Sequence, residues 1–196
     1  MEEIVVYVHG KGGSAQEAEH YKALFPNCEV IGFDYHAQSP WEATEEFSGF
    51  FTAVRKRCGK LTLVANSIGA FFSFASLNKK LVDASYFISP VVDMEQLICN
   101  MMQWADVSEA ELAEKQEIST TFGETLSWKY LCYVREHPIH GKSLPAFCMG
   151  KGCSDLHGNH KSLCGKEQRR ADCYAGRRAL VSYERADAIS GSLDKE

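Results

Sequence analysis

The chain has 196 residues, 45% of them apolar and 24% charged, with a net charge of −5. That is enough for one domain with a real core and the ordinary balance of a globular protein. The negative charge argues against nucleic acid as a partner, and no apolar run is long enough to span a bilayer. The N-terminus runs straight into a strand-like stretch with no basic leader, so no secretory signal is read and a cytoplasmic location is expected.

Ile4-Val5-Val6-Tyr7-Val8 is wholly apolar, as a parallel strand buried on both faces requires. His9-Gly10-Lys11-Gly12-Gly13-Ser14 follows as a glycine-rich turn, and Ala15–Leu24 has helical composition, ended by Pro26-Asn27. Glu29–Tyr35 is a second strand. Ser39-Pro40-Trp41 opens a helix, with Ser39 as N-cap and Pro40 at the first position. The pattern carries this helix to about Cys58, with Gly59 as its capping glycine. Leu61–Ala65 is a third strand, Gly69–Leu77 a strongly apolar helix and Ala84–Pro90 a fourth strand. Strands alternating with helices at this spacing predict an α/β fold with a mostly parallel, doubly wound sheet.

From Asp93 to Pro138 the pattern is helical without strands. Ser108-Glu109-Ala110-Glu111 is a capping box, and Ser127 caps a helix whose apolar residues are Trp128, Leu131, Cys132 and Val134. The stretch at about 93–138 reads either as a helical lid over a ligand site or as an ordinary helical insertion. Beyond it, Ser143–Gly150 holds at best one weak strand, and Lys151–Arg178 shows neither period. The composition also breaks there. Residues 1–140 hold 11 Lys+Arg against 19 Asp+Glu, a net of −8, whereas residues 141–196 hold 10 against 7, a net of +3, with four of the eight Cys and seven of the 15 Gly.

Ala65-Asn66-Ser67-Ile68-Gly69 lies between a buried strand and an apolar helix, where a nucleophile elbow belongs. The elbow is a tight turn that lifts a serine hydroxyl above the strand end. Small residues two before and two after are needed because strand and helix backbones pass close together. Gly69 fits, and Ala65 is small although it is not the usual glycine. The competing reading is a serine that merely caps the following helix. The glycine turn after the first strand supplies a second element. A developing oxyanion needs two backbone N–H donors, and Ile68 and Lys11 are the natural pair. Gly10 and Gly12 let that loop come close to a substrate. A phosphate loop is disfavoured because Gly-Lys-Gly-Gly-Ser lacks the Walker spacing. His9 reads as a hydrogen-bonded structural histidine beside the loop, and the Lys11 side chain as solvated.

These features resemble the small bacterial α/β-hydrolases of esterase-like type, over about Ile4 to His140, with Val6–Gly13 and Leu63–Gly69 as the two specific motifs. The resemblance implies the α/β-hydrolase fold, attack of Ser67 on an acyl carbonyl, an oxyanion held by the Lys11 and Ile68 N–H groups, and a helical lid from about Asp93. It implies a small-molecule acyl substrate with no cofactor and no metal. It also implies an acid after a later strand and a histidine near the C-terminus, in the order Ser, Asp, His. Neither stands at its place. The region expected to carry the acid reads Met149-Gly150-Lys151-Gly152-Cys153, and the last histidine is His160. No motif marks His157 or His160 as a substitute base.

The genetic code offers a cause. Back-translated from the second base of its first codon, Leu180–Glu196 can read WFHTKEQMRFLDRWIK, and Arg177-Arg178-Ala179 can supply GEH before it. That is a histidine followed by an amphipathic closing helix. Out of frame, Gly141–Gly150 can read as a family-like strand, WKVPTxILYG, and Lys151–Leu156 as EKDVLT, which contains an aspartate. The offsets differ, so two single-base slips are implied. Residues 1–140 are therefore expected to form the hydrolase core and lid. Residues 141–196 are expected to be a frameshifted segment that leaves the fold incomplete or irregular and the enzyme impaired. The alternative is a metal-binding or interaction protein using Cys148, Cys153, His157, His160, Cys164 and Cys173, residue types that suit zinc but lack a tight C-x-x-C pair.

Overall fold

The computed structural model describes residues 2–139 and the strand Ala146–Met149. The expectations for the rest of residues 140–196, the frameshift and the zinc ligands among them, lie outside the described residues. The apolar run at the start forms β1 (Glu3–Val8), and from Ile4 onward every residue is buried. Alternate side chains serve opposite faces: Ile4, Val6 and Val8 enter one core cluster, Val5 and Tyr7 the other. A strand buried on both faces belongs at the centre of a parallel sheet, and β1 is paired on both sides. It runs parallel to β2 (Glu29–Phe33) and to β3 (Lys60–Asn66). β4 (Ala84–Ile88) joins β3, and β7 (Ala146–Met149) joins β4, all parallel. The order β2-β1-β3-β4-β7 makes the expected parallel α/β sheet.

The connections explain how both faces are covered. A 3-10 helix (Ala15–Leu24) links β1 to β2, and its Ala18 and Tyr21 pack on Val5, Tyr7, Val30 and Val64. The tight helix lies hard on the sheet: a side chain on Gly32 of β2 would sit 1.9 Å from the Ala15 carbonyl oxygen. On the other face, α1 (Pro40–Arg55) presents Ala43, Phe47, Phe51 and Val54, and α2 (Ile68–Ser76) presents Ala70, Phe71, Phe72 and Phe74. Ser39 accepts from the Glu42 N–H, and the Glu42 carboxylate accepts from the Ser39 N–H, with Pro40 opening the helix as predicted. α1 ends at Arg55 rather than Cys58, and Gly59 is not its cap: it donates its N–H to the Glu2 carbonyl at 3.0 Å, leading directly into β3.

Three helices, α3 (Met94–Trp104), α4 (Glu109–Lys115) and α5 (Trp128–Glu136), fill the stretch between β4 and β7. Ser108 and Ser127 accept from the Glu111 and Tyr130 N–H groups, so both cap as expected. Leu131 and Val134 are buried, while Trp128 and Cys132 are only partly so. The expectation of no strands here is corrected by an antiparallel hairpin, β5 (Glu117–Ser119) with β6 (Thr125–Ser127). Arg135 binds this unit together, reaching Glu95 of α3 and both carboxylate oxygens of Glu109.

Asp83 ties β4 to its neighbours. Its carboxylate accepts the Leu61 N–H at 2.7 Å and pairs with Arg55 of α1. Burial works against the charge, but the Leu61 N–H and the Arg55 guanidinium outweigh it and hold the carboxyl below its usual pKa. A group depressed in the folded state stabilises above its unfolded pKa and loses that contribution as pH falls through the folded value. Asp83→Asn should therefore lower stability near neutrality, by under about 1 kcal/mol because solvent screens the pair. The gap should close in acid, below the ordinary carboxylate range, as read by urea denaturation against pH.

Candidate active site

The chain passes from β1 left to β2 and then back across to β3, so the strand order reverses between β1 and β3. Ligands of open α/β sheets bind outside the carboxyl ends of the strands at such a reversal. The register sets Val8 beside Ala65, which places the loops that follow β1 and β3 next to each other. Those loops are the glycine turn and the turn at Ser67.

Ser67 joins β3 to α2 with φ 50° and ψ −118°. A residue with a Cβ costs about 1–3 kcal/mol there, so the surroundings must impose the conformation. They do so through the backbone. The Ser67 N–H donates to the Ile88 carbonyl at 3.0 Å, and its carbonyl accepts from Ala70 at 3.1 Å and from Val91 at 3.2 Å. Ser89, between those two anchors, itself has a positive φ of 42°. Small residues then become necessary. A side chain on Gly69 would lie 2.3 Å from the His9 carbonyl oxygen, and one on Gly10 would lie 3.3 Å from the Ser67 Cβ. Ala65 is fully buried at the strand end. The serine does not spend its hydroxyl on the helix: Ser67 makes no side-chain capping bond. It is half-buried.

The Gly13 N–H donates to the Gly10 carbonyl at 3.1 Å, closing a turn whose third residue, Gly12, has φ 74°. Glycine suits that position because a Cβ is strained there. The Lys11 N–H lies outside the turn's hydrogen bond, and the Ile68 N–H, at the first helical position, has no acceptor within its helix. His9 sits before the turn, its ring stacked on Tyr35 at 4.3 Å and its Nδ1 2.8 Å from the Gly10 carbonyl oxygen. The Tyr35 hydroxyl donates to the His9 carbonyl at 2.9 Å. Burial, with Glu46 and Glu17 nearby, pushes that phenol up to about 12, so it stays a donor near neutrality.

One part of the sequence reading is corrected. The Lys11 side chain is not merely solvated, because its ammonium pairs with Glu124 in the β5–β6 hairpin. Sequence reasoning also missed the clamp from Ile88 and Val91 and the Tyr35 bond to His9. Among the described residues, no carboxylate or imidazole hydrogen-bonds the Ser67 hydroxyl, and no group of three or more His, Cys, Asp or Glu could hold a metal ion. Of the zinc candidates, Cys148 has only its backbone described, in β7, and the others lie outside the described residues. No helix of the described residues is long and apolar enough to cross a membrane.

No family model matches the chain, and no curated protein matches it by sequence. Solved structures do. Est1E from Butyrivibrio proteoclasticus superposes with a TM-score of 0.57 at 11% identity, over 75% of this chain and 66% of its own. The mature lipase BlEst2 from Bacillus licheniformis superposes with a TM-score of 0.49 at 16% identity, over 75% of this chain and 64% of its own. The chain thus spans just under two thirds of the length of either. The likeness to Est1E shows the α/β-hydrolase fold.

Proposed function

We propose that this α/β-hydrolase-fold chain is a serine hydrolase acting on a carboxylic ester or related acyl bond through an acyl-Ser67 intermediate. The observation that carries the reading is the Ser67 backbone at φ 50°, forced at the strand-to-helix turn while its hydroxyl caps nothing. Such a strained turn is how this fold exposes a nucleophile. In the proposed step the Ser67 oxygen attacks the acyl carbonyl and gives up its proton to a base. The alcohol leaves with a proton, and water then releases the acid. The N–H groups of Lys11 and Ile68 are the proposed oxyanion donors, with Gly10 and Gly12 allowing the approach and Gly69 the tight crossing. The helices and hairpin between β4 and β7 are the proposed lid.

The acid and base are not at the family's places in residues 141–196. A serine hydroxyl without a base is a weak nucleophile. The 196-residue chain should therefore hydrolyse a p-nitrophenyl ester only slightly above background, at a rate lowered further by Ser67→Ala. Fast turnover abolished by Ser67→Ala would keep the nucleophile and overturn the impairment. Fast turnover indifferent to that change would overturn the nucleophile. Zinc content of the purified chain tests the metal alternative, and one tightly held ion per chain would favour it.

A further inference from the structure

The ion pair between Lys11 and Glu124 joins the glycine turn to a hairpin 113 residues away. Glu124 is presented by a closely built tip. The Thr120 N–H and hydroxyl both donate to the Glu124 carbonyl, at 2.7 and 2.8 Å, and the Glu124 N–H donates back to the Thr120 hydroxyl at 3.0 Å. Gly123 takes φ 83° and donates to the Thr120 carbonyl at 3.3 Å. Phe122 at the same tip meets Trp104 of α3 edge to face. Below the tip, Leu126 is buried, and the Trp128 N–H donates to the Gln116 carbonyl at 2.8 Å. The bonds that Glu124 makes within the tip use its backbone, which leaves its carboxylate to serve the glycine turn.

We propose that Glu124 is a positioning residue that holds the glycine turn through the Lys11 ammonium, so that the Lys11 N–H keeps a fixed direction beside Ser67. The inference rests on the reading of that N–H as an oxyanion donor. Side chain and N–H of Lys11 share one Cα, so anchoring the ammonium restrains the peptide plane that carries the N–H. The hairpin and the turn are then one coupled unit. Coupling of this kind is reciprocal, so loosening either element loosens the other by the same factor.

Amide hydrogen exchange in the 196-residue chain tests this without any need for turnover. The Gly13 N–H reports opening of the turn, the Thr120 N–H reports the hairpin, and the Val6 and Val8 amides of β1 control for general loosening. Glu124→Gln should speed Gly13 exchange by about threefold, the scale of a half-exposed ion pair. Lys11→Met should speed Thr120 exchange by a similar factor. The swapped pair Lys11→Glu with Glu124→Lys should restore both. Gly13 exchange unchanged in Glu124→Gln, faster only in step with β1, or not restored by the swap would overturn the proposal. The assays on Ser67 decide the hydrolase reading separately, since exchange reports the coupling whether or not the serine reacts.

Discussion

A gene with the reading frame restored through the two proposed slips should encode an enzyme that hydrolyses acyl esters on the order of 10⁴- to 10⁶-fold faster than the 196-residue chain. The gain is large because a triad acts as a unit. The base takes the serine proton as the new bond forms, and the acid holds the base in the right tautomer. Without them, only the oxyanion donors and substrate binding contribute. The restored frame would place an aspartate near Gly152 and a histidine near Ala179, followed by an amphipathic closing helix. Stability should rise with activity, because the present residues 151–178 offer no apolar strand period. Cooperative thermal unfolding of the restored chain, beside a broader and earlier transition in the present one, checks that half of the prediction. Genomic DNA with an uninterrupted frame through residues 141–196, or a restored chain no faster than the present one, would end the frameshift proposal.

Gly69→Val should cost about 3 kcal/mol or more and collapse the elbow with it. Even the first added carbon lands 2.3 Å from the His9 carbonyl oxygen and 2.9 Å from the Val8 side chain. The nearest obstacle is backbone and cannot rotate away. Either α2 must lift from β1 or the His9 peptide must turn. The Tyr35 hydroxyl holds that same carbonyl. Lifting α2 strips cover from Ala70, Phe71 and Phe74, all in the core. By contrast, a side chain on Gly49 of α1 would meet nothing within 4 Å, so Gly49→Ala in the helix interior should be stabilising by up to about 1 kcal/mol. Chemical denaturation of the two variants checks the contrast. A Gly69 variant as stable as the parent would mean that strand and helix do not cross as closely as described.

The parts of the fold legible in the sequence are those with local signatures. The core of β1 is a continuous apolar run, that of β3 is apolar apart from Thr62, and α1 announces itself by Ser39 and Pro40. The Ser67 turn was legible because its steric demands fall on neighbours within two residues. The β5–β6 hairpin was not legible, since three-residue strands are too short to show a period of two. Gly59 misled because a glycine after an apolar helix normally caps it, whereas here it serves a bond to Glu2. Ala15–Leu24 had helical composition but no sign of its tighter winding, which accompanies close packing on Gly32. The partner of Lys11 lies too far along the chain for any pattern to reach, and so do the residues that clamp Ser67.

Covalent trapping bears directly on the proposal that Ser67 is a nucleophile held above the sheet. The 196-residue chain and its Ser67→Ala variant would be exposed to excess fluorophosphonate, digested and analysed by mass spectrometry. One slowly formed phosphonyl adduct is expected, on the peptide containing Ser67, and none in the variant. An adduct on another residue, equal labelling of the variant, or no labelling of Ser67 after prolonged exposure would contradict it.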